Sequence, residues 1–130
     1  MPPRPLSPHL SVYKFKYTLA TSILNRFTGL GLSLGLLLLV YWLLAVAAGA
    51  AAHARAERLL SHPLMRPLYA ALVIVFCYHL TAGIRHLVWD TGRGLERAQA
   101  RRSAWLVVAV SIALALLVAY WAWLAGARGR

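Results

Sequence analysis

The chain has 130 residues, of which 61% are hydrophobic and only three are acidic, and its formal net charge is +11. A soluble domain of this length cannot bury so large an apolar fraction, so the composition excludes an ordinary soluble fold and indicates a membrane protein. The basic residues lie at the ends of apolar stretches, where they face anionic lipid, and this distribution argues against nucleic-acid binding.

Residues 1–17 hold four of the six prolines, together with aromatic and basic side chains. Proline at this density disfavours a helix before about Pro8, and the alternation of rings with lysine at residues 13–17 suits the lipid headgroup layer. We therefore expect an extended interfacial arm. This stretch shows no short apolar core followed by a cleavage site, so we expect the first transmembrane helix to direct insertion.

The first predicted helix covers residues 18–49 and carries no charge between Phe27 and Ala48, a run of 22 residues. At 1.5 Å per residue this run extends about 33 Å, enough to cross a hydrocarbon core about 30 Å thick. Small residues along it offer surfaces where a neighbouring helix or a flat cofactor can approach the backbone. They are Gly29, Gly31, Ser33 and Gly35.

A polar connection follows at residues 50–67, where we expect a short interfacial helix over residues 51–60 that ends before Pro63 and Pro67. This connection is not expected to carry chemistry.

Two further spans are predicted. Residues 68–89 hold 17 uncharged positions before Arg85, whose side chain can extend to the membrane boundary beside Trp89. After a basic turn, residues 103–126 form a third run of 24 uncharged positions. The predicted fold is an all-α integral membrane protein, with a three-helix transmembrane domain at residues 18–126 and spans at about residues 22–48, 67–89 and 103–125.

The distribution of lysine and arginine predicts the orientation of these spans. Nine of them fall on the side of the N-terminus and five on the opposite side. The nine are Arg4, Lys14, Lys16, Arg26, Arg85, Arg93, Arg97, Arg101 and Arg102, and the five are Arg55, Arg58, Arg66, Arg128 and Arg130. This excess favours an N-terminus inside and a C-terminus outside.

A polar stripe runs along the second span, where His79, Gly83, His86 and Asp90 fall within about 60° of one another on a helix. Such polar groups in the hydrocarbon core indicate a functional site, and the iron of a haem is the best candidate for what this site binds. The two histidines are about 10.5 Å apart along the axis, so at most one binds a given iron. The deeper His79 is the expected ligand, Gly83 leaves room for a porphyrin edge, and His86 lies where it can reach a haem propionate, a quinone or water.

Other interpretations stay open at this point. A lone intramembrane histidine commonly forms a hydrogen bond with a neighbouring helix. Ser22 and Arg26 form either an ordinary helix start with a snorkelling arginine or a pair directed at a quinone carbonyl. The single cysteine, Cys77, lies about 200° around the helix from His79 and is expected to be a buried, inert thiol. No second deep histidine is present in the first or third span, so a six-coordinate iron needs a ligand from a partner.

Two stretches carry a family resemblance. The first is Arg4-Pro5-Leu6-Ser7-Pro8-His9-Leu10 followed by Ser22-Ile23-Leu24-Asn25-Arg26-Phe27-Thr28-Gly29, and the second is His79-x-x-x-Gly83-Ile84-Arg85-His86-Leu87-x-Trp89-Asp90. Together with three spans in the expected order, they resemble the cytochrome b membrane-anchor subunit of succinate dehydrogenase (succinate:quinone oxidoreductase) over most of the chain.

The resemblance implies that His79 is the axial ligand of a haem b shared with a partner anchor subunit. It also implies that Ser22 and Arg26 belong to the quinone site and that His86 supports a haem propionate at the same end. Asn25 departs from the pattern, because the family usually has histidine immediately before this arginine. Asparagine forms hydrogen bonds but does not titrate.

The implied assembly is respiratory complex II, a multi-subunit helical bundle with a flavoprotein, an iron–sulfur protein and a second anchor subunit as partners. FAD and the iron–sulfur clusters belong to those partners, and ubiquinone or menaquinone is the substrate of the quinone site. This chain anchors the complex and does not itself oxidise succinate. The expected location is the inner, cytoplasmic membrane of a bacterium, ahead of the mitochondrial inner membrane.

Three rival interpretations stand beside this one. The first is the anchor of a fumarate-reducing relative, which uses the same parts in reverse, and the second is a haem-free structural subunit of some other membrane complex. A small multidrug transporter is disfavoured, because it requires an acidic residue deep in the bilayer and the three acids here lie at or beyond span ends.

Overall fold

The computed structural model describes residues 17–128, which form four helices and, within that range, no strand. The helices are α1 at Tyr17–Ala47, α2 at Ala50–Leu60, α3 at Met65–Asp90 and α4 at Arg97–Arg128. Three of them, α1 from Leu19 onward, α3 and α4, are long and apolar enough to cross a membrane. The predicted all-α membrane fold is confirmed. The predicted interfacial arm lies outside the described residues except for Tyr17, which begins α1.

Helix α3 lies between α1 and α4 and contacts both along its length, whereas α1 and α4 contact each other only slightly. Because α1, α3 and α4 cross the bundle in alternating directions, the N-terminal end of α1 lies beside the C-terminal end of α3. The Tyr78 hydroxyl of α3 donates a hydrogen bond of 3.3 Å to the Thr21 carbonyl of α1 and so joins these two helices toward that end.

The short helix predicted over residues 51–60 is present as α2. It begins after Gly49, whose φ of +97° is accessible to glycine and lets the chain turn sharply at the end of α1. Ala56 on α2 is completely buried. The Tyr69 hydroxyl of α3 donates to the Leu60 carbonyl at 2.8 Å, which ties the end of α2 to the N-terminal part of α3.

Two helices start earlier than the sequence indicated. Helix α3 begins at Met65, three residues before the predicted span, because Pro67 falls in the first helical turn, where its missing N–H has no partner in any case. Helix α4 begins at Arg97, six residues before the uncharged run. A helix is not confined to the hydrocarbon, so the charged residues of the predicted turn continue the same helix beyond the membrane boundary.

The small residues of α1 are where α3 packs, as predicted. A Cβ added at Gly35 would lie 2.8 Å from Leu72 Cδ2, and one added at Gly31 would lie 3.5 Å from Val75 Cγ1. Close approach of backbones at small residues is a principal source of helix association in lipid.

The interface between α3 and α4 combines a small apolar core with buried polar groups. Tyr78, Ala82 and Val107 pack together, and beside them the hydroxyls of Thr81 and Ser111 lie 2.6 Å apart. Each hydroxyl also lies within hydrogen-bonding distance of a carbonyl of its own helix, so both are satisfied without water.

Arg85, expected from the sequence to extend toward the membrane boundary, is held between α3 and α4. It is only 8% exposed. Its Nε donates to Ser103 Oγ and its Nη2 to the Ala100 carbonyl, both at 3.0 Å, and its guanidinium carbon lies 3.9 Å from the centre of the Trp89 ring. The arginine therefore fastens the C-terminal part of α3 to the start of α4.

Candidate functional site

His79 projects from the middle of α3 onto α1. Its Nδ1 lies 3.1 Å from Thr28 Oγ1, and its ring lies directly against the backbone of Gly29. A Cβ at Gly29 would be 3.2 Å from His79 Cε1, closer than ordinary carbon contacts of about 3.5–4.0 Å. A side chain at this position would therefore force the ring to shift by a few tenths of an ångström.

The two ring nitrogens of His79 have different surroundings. Nδ1 contacts the Thr28 hydroxyl, which also donates to the Asn25 carbonyl at 2.9 Å. Nε2 has no hydrogen-bond partner among residues 17–128. The hydrogen bond to a neighbouring helix that the sequence left open as an alternative is thus present, but it uses one nitrogen and leaves the other available.

An open groove lies between α1 and α3 and includes His79 in its wall. Its volume is about 850 Å³, within the range of small-molecule and cofactor sites. The wall is almost entirely apolar, with Leu32 and Leu36 contributed by α1 and Leu72 and Phe76 by α3. A groove of this composition excludes water from one side of the imidazole.

Cys77 lines the same groove, although helical geometry had placed it on another face from His79. The thiol itself is only 3% exposed and is a free cysteine, as expected.

Gly83 provides room one turn beyond His79. A Cβ added there would meet no atom within 4 Å among the described residues. The prediction that this glycine leaves space beside the histidine is consistent with that opening. The donor set and the space fit a haem: one histidine with an unused ring nitrogen, open space at Gly83, and an apolar groove beside the ring.

Ser22 and Arg26 are exposed on α1. At 100° per residue they fall within about 60° of Gly29 and Ser33, two residues that line the groove, so they continue its α1 face toward the N-terminal end. Ser22 lies about 10 Å along the axis from Gly29. Neither side chain contacts His79 within the described part of the chain.

His86 and Asp90 are exposed near the C-terminal end of α3. The ring of His86 meets the Trp89 ring edge to face, with centroids 5.3 Å apart. Since α1 and α3 are antiparallel, these residues and Ser22 belong to the same end of the bundle. The structure thus places Ser22, Arg26, His86 and Asp90 toward one end of the bundle and His79 nearer its middle, and no hydrogen bond joins these side chains in the described range.

Two further residues belong to the site: Thr28, which the sequence alone did not single out, and Asn25, which was noted there only as a departure from the family pattern. Thr28 stands in the first motif without an assigned role, yet it is 6% exposed and contacts the histidine directly. The sequence feature that could have pointed to Thr28 is its hydroxyl next to a glycine, on the face of the first helix where the small residues lie. Asn25 has a buried side-chain oxygen, Oδ1, with no hydrogen-bond partner among the described residues.

Known proteins resemble this chain over most of its length. The family described as succinate dehydrogenase/fumarate reductase transmembrane subunit matches residues 1–118. The succinate dehydrogenase cytochrome b556 subunit of Paracoccus denitrificans is 40% identical over 114 residues, 88% of each chain. That of Rickettsia prowazekii is 36% identical over 115 residues, 88% of this chain and 90% of the relative. The mitochondrial cytochrome b560 subunit of Bos taurus is 37% identical over 111 residues, 84% of this chain and 66% of the relative.

The matched range contains both sequence stretches that carried the resemblance, as well as α1, α2, α3 and most of α4. The chain belongs to the succinate dehydrogenase/fumarate reductase transmembrane subunit family, and its relatives are cytochrome b subunits of succinate dehydrogenase.

Proposed function

We propose that this chain is the cytochrome b anchor of a succinate:quinone oxidoreductase and that Nε2 of His79 is an axial ligand of its haem b. The observation that carries the proposal is the half-buried imidazole beside an apolar groove, with Nδ1 engaged by Thr28 and Nε2 unused among the described residues. A neutral imidazole with one free lone pair is the form that binds iron.

Hydrogen bonding to α1 and iron ligation are compatible roles for one histidine. Metal-bound imidazoles nearly always donate their second N–H to a protein acceptor, which fixes the ring orientation. The Thr28 contact therefore supports ligation instead of competing with it. When bound, haem b accepts and releases single electrons near the quinone site.

The remaining groups of the site have roles that follow from their chemistry. Gly29 lets the His79 ring pack against the α1 backbone, and the open space at Gly83 would give clearance for a flat macrocycle one turn along α3. The apolar walls would limit the access of water to a bound haem, and the guanidinium of Arg26, on the same face of α1 as Gly29, would neutralise a propionate carboxylate. His86 is a further donor for a propionate at the same end. The buried Asn25 Oδ1 is a polar group that a bound molecule or partner chain can satisfy.

A spectrum of the intact complex tests the haem assignment. Complexes carrying His79→Ala and His62→Ala are purified and their reduced-minus-oxidised spectra are compared with that of the parent. We expect the b-type band to disappear or fall sharply in His79→Ala and to persist in His62→Ala, which removes an exposed imidazole from the connection between α2 and α3. A full band in His79→Ala would refute the assignment.

We further propose that Ser22 and Arg26 form part of the quinone-reduction site. A hydroxyl and a guanidinium on one helix face can donate hydrogen bonds to a quinone carbonyl and stabilise the negative charge that develops there on reduction. The charge distribution favours the inner side of the membrane for this end, where an iron–sulfur subunit would deliver electrons.

Two activity assays separate the quinone role from assembly. In Ser22→Ala and Arg26→Leu we expect quinone reduction to be lost while succinate oxidation by a soluble dye continues. Ser61→Ala and Arg58→Leu, which remove the same groups from exposed positions at the opposite end, serve as controls and should leave both activities unchanged. Parental quinone turnover in both test variants would contradict the proposal.

The proposed assembly contains a flavoprotein, an iron–sulfur subunit and a second anchor subunit that supplies the other haem ligand. FAD and iron–sulfur clusters reside in those partners, the electron acceptor is ubiquinone or menaquinone, and the membrane is the cytoplasmic membrane of a bacterium with the N-terminus inside. Purification through a tag on this chain identifies the partners, and labelling of terminal cysteines in sealed vesicles tests the orientation.

A further inference from the structure

We propose that Thr28 is a positioning residue for the haem ligand. Its hydroxyl oxygen accepts a hydrogen bond from Nδ1–H of His79. This bond holds the ring in the tautomer whose Nε2 carries the lone pair that would bind the iron. This inference rests on the proposed ligation by His79, and it extends the site from the ligand to a side chain on the neighbouring helix.

A count of protons supports the assignment. A neutral imidazole has one N–H and one lone pair, so a ring that binds iron through Nε2 must carry its proton on Nδ1. The Thr28 oxygen, 3.1 Å away, is the only hydrogen-bond partner of Nδ1 in the described part of the chain. The hydroxyl oxygen can accept this hydrogen bond because its own proton is donated to the Asn25 carbonyl, 2.9 Å away.

Burial makes this acceptor difficult to replace. Thr28 is 6% exposed, and on the adjacent side the ring is already in contact with Gly29. Water therefore has little access to take over the bond. Without the hydroxyl, the haem-bound ring would keep an unpaired N–H in an apolar interior, or would change tautomer and lose the lone pair that the iron needs.

The bond also has an electronic consequence. An acceptor on Nδ1–H raises the electron density of the imidazole and favours the ferric over the ferrous state. Removal of the acceptor should therefore raise the midpoint potential of haem b. Loss of a partner of this kind typically weakens metal affinity about 10- to 100-fold.

The test compares Thr28→Val with Thr28→Ser in the complete, membrane-extracted complex. Valine has nearly the shape of threonine but no hydroxyl, whereas serine keeps the hydroxyl and lacks only the methyl group. Haem content and the haem b midpoint potential are measured by redox titration of the optical band. We expect Thr28→Val to bind haem more weakly and to shift the potential in the positive direction, about 59 mV for each tenfold loss of preference for the ferric state. Thr28→Ser should stay close to the parent in both quantities.

Each other outcome has a defined meaning. A parental potential and parental haem content in Thr28→Val would overturn the inference, and so would equal loss of haem in the valine and serine variants, which would point to packing. If Thr28→Val does not assemble, Thr28→Ala, which adds no bulk, is compared with Thr28→Ser on the same two readouts. The variant His79→Ala, measured in the same series, separates the two proposals. A parental haem band in His79→Ala refutes ligation by His79. Loss of the band in His79→Ala, together with parental haem content and potential in Thr28→Val, refutes only the role of Thr28.

Discussion

Gly29 offers the sharpest test of the site's geometry, because a single methyl group there would press on the proposed ligand. In Gly29→Ala the new Cβ would lie 3.2 Å from His79 Cε1. Carbon atoms prefer separations of about 3.5–4.0 Å, so the ring must retreat by about 0.3–0.8 Å. The hydrogen bond to Thr28, already 3.1 Å long, limits that retreat.

Gly31→Ala is the matched control for this change. Gly31 lies on the same helix and at the same interface, but its new Cβ would be 3.5 Å from Val75 Cγ1, an ordinary contact. Replacing glycine with alanine raises helix propensity equally at both positions, so this contribution to stability cancels when the two variants are compared. Overpacking by one methyl group costs about 1–3 kcal/mol, and if all of this cost fell on the ligating position of His79, haem would bind roughly 5- to 150-fold more weakly in Gly29→Ala.

The assay is transfer of haem from the purified complex to an excess of an apoprotein that binds haem tightly, followed by the change in the optical band. We expect the Gly29→Ala complex to lose haem more readily than the parent, with Gly31→Ala close to the parent. Equal retention in the parent and both variants would refute the reasoning that His79 is fixed against Gly29 in the working protein.

Three further substitutions test the contacts that hold the bundle. Arg85→Met removes two hydrogen bonds from a charged group and the stacking on Trp89, so it should lower the thermal denaturation midpoint of the detergent-purified complex by several degrees. Tyr78→Phe loses only the bond to the Thr21 carbonyl and should lower that midpoint less, consistent with a loss of about 1 kcal/mol. Thr81→Val should also have a small effect, about 0.6 kcal/mol, because Ser111 keeps its bond to the Val107 carbonyl. If Arg85→Met proved the mildest of the three, the bundle would not depend on that arginine as inferred.

The fold was largely predictable from the sequence because membrane spans are set by composition and length. Uncharged runs long enough to cross the hydrocarbon are directly visible, and so is the small-residue face of α1. The first residues of α3 and α4 were harder to predict. Pro67 and the charged residues after Arg97 looked like boundaries, yet a proline is compatible with a first helical turn and charge does not end a helix outside the membrane.

The site was predictable only in part. His79 was identifiable because an imidazole stands out in an apolar segment, and Gly83 because it follows one turn later on the same face. The part played by Thr28 depends on which face of α1 meets α3, a packing relation that one sequence does not specify. The burial of Arg85 is similar, because its partners Ala100 and Ser103 belong to a different helix.

The most direct test of the central claim, that His79 ligates haem b, is low-temperature EPR of the ferric complex with His79→Gly, recorded with and without added imidazole. We predict that the parent shows a low-spin signal from a six-coordinate iron, that the variant loses it, and that imidazole entering the vacated space restores it. A variant that keeps the parental low-spin signal without imidazole would contradict the claim.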